Sequence, residues 1–387
     1  MSDSDKPLSF SGNLSHVGET IFSKMTALAN KHKAVNLSQG FPDFPVDPEL
    51  IERVHFYVDK GPHQYAPMAG HLAFRQELCK LSDQEFASPY QAETEICITA
   101  GATQALGTAL ACAIREGDEV IVFSPAYDSY FPMIELYGGR PITIKLQHPD
   151  YNVDWNQVKR LISHRTKMII INSPHNPSGR TWKEDDYLKL QELVGDSNIL
   201  ILADEVYEHL VFDPKEKRSV RQFPELRKRS FVVGSLGKTV HVTGWKIGYC
   251  MAPENLMREF KKVHQYFVFS INHPLQWALA DYLPNLDLNS LGKLFKEKHD
   301  WFFRNLQERT RFKPLASEGT YFMLIDYSEI SQEPELAFAE RLTTEFGVAS
   351  IPLSPFYRDP VDNKVLRLCF AKDDQTLEQG VDALSKL

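Results

Sequence analysis

Long apolar runs are missing from this 387-residue sequence: none approaches the length a helix needs to cross a bilayer, which argues against a membrane protein. The opening residues, Met1-Ser2-Asp3-Ser4-Asp5-Lys6, lack the charged-then-apolar order of a secretory signal, so a cytoplasmic protein is expected. Cysteine is sparse. Cys79, Cys97, Cys112, Cys250 and Cys369 are odd in number, scattered and without a C-x-x-C pair, which argues against a disulfide framework or a zinc knuckle and leaves them as buried thiols. Positive charge is not in excess either: 43 Lys and Arg stand against 51 Asp and Glu, a formal net charge of -8 that disfavours a nucleic-acid partner. The basic run Arg227-Lys228-Arg229 reads as a solvated loop. Internal repeats and low-complexity tracts are absent too.

What is present is ordinary globular composition, 43% hydrophobic and 24% charged, in a chain long enough for two or three packed lobes. From about residue 95 to 250 short apolar runs alternate with amphipathic segments. Ile96-Cys97-Ile98, Val120 to Phe123, Ile142 to Ile144, Met168 to Ile171, Ile199 to Leu202 and Phe231 to Val233 read as strands buried on both faces. Helical patterns at Thr103 to Ile114, Trp155 to Ile162 and Lys183 to Val194 turn them into βα units. The fold class is therefore α/β, with a mostly parallel central sheet flanked by helices. Downstream, a helix at Leu291 to Arg311, a strand at Tyr321 to Ile325, a helix near Glu333 to Phe346 and a strand at Val365 to Phe370 predict a smaller α+β lobe. The division expected is residues 1–45 as an N-terminal arm shared with the small domain, 46–280 as the large domain and 281–387 as the small one.

Lys238 ends the run Phe231-Val232-Val233-Gly234-Ser235-Leu236-Gly237-Lys238, which aims an amine at the carboxyl edge of a strand, where open α/β sheets keep their ligand crevice. Gly237-Lys238-Thr239 is also the tail of a P-loop, but that pattern needs a glycine where Val232 stands. The remaining functional reading is an amine that condenses with a carbonyl cofactor, and such chemistry needs particular partners. Asp204, in Ala203-Asp204-Glu205-Val206-Tyr207, is either a structural ion pair or cap, or the buried carboxylate that keeps a pyridine nitrogen protonated; Tyr207 would then reach the ring oxygen. Asn176 lies in the stiff turn Pro174-His175-Asn176-Pro177 and can donate a hydrogen bond, although Asn-Pro also simply starts turns. His175 reads as a surface or packing histidine outside the chemistry. Gly101, Ala102 and Thr103 join a strand to a helix; small residues there suit either an anion at the helix start or tight packing. Ser235 and Lys246 are further phosphate donors, and Tyr127 either stacks on a planar ring or packs in the core.

Taken together, Asn36-Leu37-Ser38-Gln39-Gly40-Phe41-Pro42-Asp43, Gln64-Tyr65-Ala66-Pro67, Asn176-Pro177-Ser178-Gly179, Asp204-Glu205-Val206-Tyr207, Ser235-Leu236-Gly237-Lys238-Thr239 and Arg367-Leu368-Cys369-Phe370 resemble the fold-type-I, pyridoxal-phosphate-dependent class I/II aminotransferases. The six motifs occur in the family's order over most of the chain. Within the family the sequence is most similar to the bacterial methionine aminotransferases and the kynurenine, glutamine-transaminase-like, branch. The resemblance implies pyridoxal 5'-phosphate as cofactor, bonded to Lys238, with Asp204 on the ring nitrogen and Tyr207 with Asn176 on the ring oxygen. It implies phosphate ligands Gly101, Ala102, Thr103, Ser235 and Lys246, with Tyr65 reaching in from the second subunit of a homodimer. It places the substrate α-carboxylate on Arg367, beside Gly40 and Asn176, and implies no metal. Many class I members carry arginine where this chain has Lys246, the kynurenine-like branch also shows a lysine there, and Phe22 replaces a tryptophan of that branch.

The reaction implied is ping-pong transfer of an α-amino group to a 2-oxo acid, with Lys238 moving the Cα proton. Phe22, Tyr65, Tyr127 and Phe356 give an aromatic wall with no second arginine, which favours methionine, aromatic or glutamine-type substrates over aspartate. Kynurenine transamination and cysteine-conjugate β-elimination are alternatives on the same scaffold. A non-catalytic cofactor-binding regulator would add a basic DNA-binding unit, for which the residues before Gly40 leave no room.

Overall fold

The computed structural model describes residues 11–359 and 361–387. Near its start the short strand β1 (Val35–Asn36) follows a helix, Ile21–His32, that Thr20 caps through its hydroxyl. The central sheet then takes β2 (Ile96–Ala100), β3 (Glu119–Ser124), β4 (Arg140–Lys145), β5 (Thr166–Asn172), β6 (Leu200–Asp204), β7 (Ser230–Ser235) and β8 (Ile247–Met251). Their order across the sheet is β2-β8-β7-β6-β5-β3-β4. The pairs β7 with β6, β6 with β5, β5 with β3 and β3 with β4 are parallel. Each of these strands except the edge strand β4 is almost wholly buried, which is why they read as unbroken apolar runs.

β8 departs from the expectation. It was not legible as a strand, and it runs antiparallel between β2 and β7. Its Gly248 explains the fit: a Cβ there would stand 2.7 Å from both Ala102 N and Gly101 C. Two antiparallel steps leave β2 parallel to β7, so β2, β7, β6, β5 and β3 all end at one edge of the sheet. The residues leaving that edge are Gly101, Leu236, Glu205, Ser173 and Pro125, and the chain enters β8 there from Lys246.

The second sheet takes β9 (Lys313–Leu315), β10 (Phe322–Asp326), β12 (Ile351–Pro352) and β13 (Val365–Cys369) in the order β12-β13-β10-β9, all antiparallel. Between them in sequence β11 (Val348–Ala349) pairs in parallel with β1, so the N-terminal segment is stitched to the C-terminal lobe. Cys369 N donates to Leu37 O at 2.7 Å and tightens the same seam.

Four of the five cysteines are buried; Cys112 is half-buried, and none forms a disulfide. The run Arg227-Lys228-Arg229 is less solvated than expected. Arg227 donates to Pro89 O and covers the Tyr90 ring at 4.4 Å, while Arg229 donates to Gly195 O and Ser197 O, both at 2.7 Å, closing the end of the Glu184–Val194 helix. Only Lys228 is exposed, paired with Glu225.

Candidate active site

The sheet edge gathers the candidate residues. Gly101, Ala102, Thr103, Tyr127, Asn176, Asp204, Tyr207, Ser235, Lys238 and Lys246 all line one cavity, whose non-atom space is ≈ 690 Å³. Asn172 ends β5 directly opposite Asp204 at the end of β6, so two polar side chains enter the cavity in register. A crevice at strand ends with convergent polar groups suits a small organic ligand.

Lys238 sits on a single helical turn, Leu236–Thr239, that follows β7 rather than on the strand itself. Its Nζ donates to Gly40 O at 3.3 Å and lies 5.8 Å from the Tyr207 ring and 5.7 Å from the Tyr321 ring. Burial lowers its pKa to about 8, with the positive charges of Arg367 and Lys246 adding to the effect and Asp204 opposing it. An amine so placed is partly neutral near physiological pH, which is what a nucleophile or a base at carbon requires.

Asp204 is buried, and burial pushes its carboxyl up to about 6. Two hydrogen bonds oppose that rise: the Tyr130 hydroxyl donates to Oδ2 at 2.5 Å and Val206 N to Oδ1 at 3.4 Å. A buried carboxylate held by hydrogen bonds can keep a heterocyclic nitrogen protonated. Tyr207 is buried with its ring edge-on to Tyr321 and Phe322, and burial keeps its phenol protonated.

Asn176 links this group to Arg367, whose Nη1 donates to Asn176 Oδ1 at 2.8 Å while Nη2 donates to Ser38 O at 3.3 Å. Asn172 holds the turn by accepting from Asn176 N at 2.8 Å. Arg367 is 1% exposed, yet among the described residues its Nε has no partner. The guanidinium lies 3.9 Å from the Phe322 ring centroid, 5.2 Å from Phe22 and 5.3 Å from Phe356. A fork with an unpaired buried donor, walled by aromatic rings, suits a small carboxylate with an apolar side chain.

Across the cavity the Gly101–Ala113 helix starts with no side-chain cap, so its first N–H groups remain available to an anion. Gly101 has φ +75, and a Cβ there would meet Lys246 Cε and Nζ at 3.1 Å, so this glycine brings the Lys246 ammonium over the helix start. Helix N-terminus, Ser235 hydroxyl and Lys246 together are chemically fit for a phosphate. With Asp204 for a ring nitrogen and Lys238 for a carbonyl carbon, the donor set fits pyridoxal 5'-phosphate.

Gly40 contributes its carbonyl, which accepts from Lys238 and from the Tyr321 hydroxyl at 2.6 Å. Tyr65 does not reach the cavity of its own chain; it is 78% exposed and packs edge-on against Phe269 at 5.1 Å. His175 is a packing residue, buried with Nδ1 2.7 Å from Ser178 Oγ and Nε2 2.9 Å from Pro125 O, and burial lowers its pKa to about 4. Sequence reasoning missed Tyr130, Asn172 and Tyr321. The position of Asn172 at a strand end was a usable signal; the other two are ordinary tyrosines by sequence. Glu85, Glu208 and His209 lie close enough together to hold a metal, but Glu85 pairs with Lys217 and Glu208 with Arg221.

Known proteins resemble this chain over nearly its whole length. The profile of the aminotransferase class I and II family matches residues 32–384. The chain is 44% identical over 386 residues to the methionine aminotransferase of Escherichia coli strain K12, covering 99% of this chain and 100% of that one. It is 30% identical over 414 residues to the kynurenine–oxoglutarate transaminase of Dictyostelium discoideum, with 96% and 95% covered. A crystal structure from Escherichia coli, described as having a methionine aminotransferase function, superposes with a TM-score of 0.95 at 44% identity, over 98% of this chain and 100% of that one.

Proposed function

Since the chain belongs to the aminotransferase class I and II family, an enzyme family that transfers amino groups, we propose that its amino donors are methionine and aromatic or glutamine-type amino acids, with pyridoxal 5'-phosphate as cofactor. The observation that carries this reading is the convergence of Lys238, Asp204, Tyr207 and Asn176 on one cavity, with Arg367 anchored on Asn176.

When bound, the cofactor supplies an electrophilic carbon and a pyridinium ring that accepts the electron pair released at the substrate Cα. Lys238 would hold the cofactor through its amine and, once freed, would take up and return the proton at the substrate Cα. A lowered amine pKa supports that role, because the neutral form is accessible near pH 8. The Asp204 carboxylate keeps the proton on the ring nitrogen. Tyr207 and Asn176 hold the ring oxygen, and Asn176 serves twice because its Oδ1 is already taken by Arg367. Arg367 orients the substrate α-carboxylate, for which its unpaired Nε supports a free donor. Gly101, Ala102, Thr103, Ser235 and Lys246 hold the phosphate, Tyr127 covers the ring face, and Tyr65 completes the phosphate site of a second copy.

Specificity follows from the wall around Arg367. Phe22, Phe322 and Phe356 leave apolar surface beside the guanidinium, and among the described residues Arg367 is the one arginine placed against these rings. A second carboxylate would therefore be buried without a partner, whereas a thioether or a ring gains contact. A screen of amino donors and oxo-acid acceptors, read by oxo-acid formation, tests this. Methionine and phenylalanine are expected to exceed aspartate in kcat/KM by about tenfold or more; a preference for aspartate would refute the assignment.

A further inference from the structure

We propose that the Tyr130 hydroxyl is a positioning group for the transfer reaction: it holds the Asp204 carboxylate as an oriented anion and so sets how strongly the cavity retains a protonated pyridine nitrogen. The inference rests on the cofactor reading above and adds to it a residue that does not line the cavity.

Four observations carry it. The Tyr130 hydroxyl donates to Asp204 Oδ2 at 2.5 Å, and among the described residues this is its only hydrogen bond. The other carboxylate oxygen has just the longer Val206 N–H at 3.4 Å, so Tyr130 is the dominant fixed donor. Both side chains are buried, Tyr130 at 2% and Asp204 at 4% exposure, so no bulk water substitutes for the phenol. Finally, Tyr130 opens the Tyr130–Leu136 helix and its ring stands edge-on to Tyr127 at 5.7 Å; Tyr127 in turn lines the cavity with its hydroxyl 3.4 Å from Thr103 Oγ1. One short segment thus presents a ring-covering tyrosine and anchors the carboxylate beneath it.

The direction of the hydrogen bond is fixed by chemistry. Burial, and next the Asp204 charge, hold the Tyr130 phenol well above its ordinary pKa, so it stays protonated and donates. Asp204 is already raised to about 6 by burial, and the Tyr130 bond is the first of the interactions opposing that rise. The other titratable groups acting on the pair are Lys238, which favours the carboxylate, and the phenols of Tyr127 and Tyr207, which act on Tyr130. Removing the phenol oxygen would leave Asp204 Oδ2 unsatisfied and raise its carboxyl toward or above neutrality. Below its pKa the carboxyl carries its own proton and no longer attracts a pyridinium.

The test uses cofactor-stripped protein titrated with pyridoxamine 5'-phosphate between pH 5 and 9. This probe has the ring nitrogen and phosphate but no carbonyl to react with Lys238, so affinity is read apart from activity. For the unmodified chain, affinity should fall on the acid side with a midpoint near 6. Tyr130→Phe should move that limb up by about one pH unit, which weakens binding about twofold at pH 7 and about tenfold near pH 5, as expected for loss of one hydrogen bond to a charged group. In an Asp204→Asn background the same change should alter the Kd near pH 5 less than about twofold, since the two residues act as one unit. Replacement of Tyr130 by para-aminophenylalanine, which keeps the shape and an N–H donor, should restore part of the affinity and guards against a folding defect in Tyr130→Phe. An unmoved limb in well-folded Tyr130→Phe, or an equal loss in the Asp204→Asn background, would make Tyr130 a packing residue and overturn the proposal. If the unmodified chain binds no probe at all, the cofactor reading itself falls; normal binding with an indifferent Tyr130 removes only this inference.

Discussion

An amine buried without a carboxylate in contact destabilises the fold that carries it, and Lys238 is such an amine. Its pKa is near 8 in the folded chain against 10.5 for an unstrained lysine, so below pH 8 both states bind the proton and the folded state bears the full penalty. Between pH 8 and 10.5 the unfolded chain holds more protons, and stability rises with pH. Lys238→Met in cofactor-free protein is therefore expected to gain on the order of 2 kcal/mol at pH 7, with the gain fading as pH passes through that window. Chemical unfolding at pH 7 and pH 10 measures it; a loss of stability at pH 7 would contradict the desolvation account. Arg221 is the opposite case. It is buried between Glu205, at 2.9 Å, and Glu208, so Arg221→Met leaves two buried carboxylates uncompensated and should cost about 3–5 kcal/mol by the same measurement.

At the scale of elements, the junction of β8 with the Gly101–Ala113 helix decides where a phosphate can sit. Gly248→Ala would put a methyl 2.7 Å from backbone atoms of Gly101 and Ala102, which have no side-chain rotation to relieve it. We expect a loss of about 1–3 kcal/mol in stability together with weaker binding of the cofactor phosphate; unchanged affinity in a folded variant would show that the helix start does not hold the anion. This junction also marks where the sequence stopped being readable. The parallel strands stood out because burial on both faces demands continuous Val, Ile and Leu, as in Met168 to Ile171. β8 did not, because Gly248-Tyr249-Cys250 is chosen for close contact with Ala102 and for the Tyr249 bond to Glu208, neither of which has a local pattern. The candidate site was legible for a related reason: Asp204, Asn176 and Lys238 each follow an apolar run, and residue type at a strand end is informative. Tyr130 and Tyr321 reach the same place through a helix start and a loop packed from a distant lobe, so only tertiary structure brings them to Asp204 and Gly40.

For the whole molecule, the surface around Tyr65 is the open question that the fold poses. Tyr65, Tyr266, Phe267 and Phe269 are 78%, 88%, 52% and 44% exposed, an apolar content unusual for a free surface. A homodimer that covers it is the proposal, with Tyr65 entering the neighbour's phosphate site. Sedimentation should show a dimer, and Tyr65→Ala should weaken cofactor affinity; a fully active monomer would contradict both. The most direct test of the central claim, that Lys238 is the covalent attachment point for pyridoxal 5'-phosphate, is to load the purified chain, reduce it with borohydride and map the modified peptide by mass spectrometry. The account predicts a phosphopyridoxyl group on Lys238 and none in a Lys238→Ala variant; an adduct on another lysine, or no adduct in a folded and saturated sample, would contradict it.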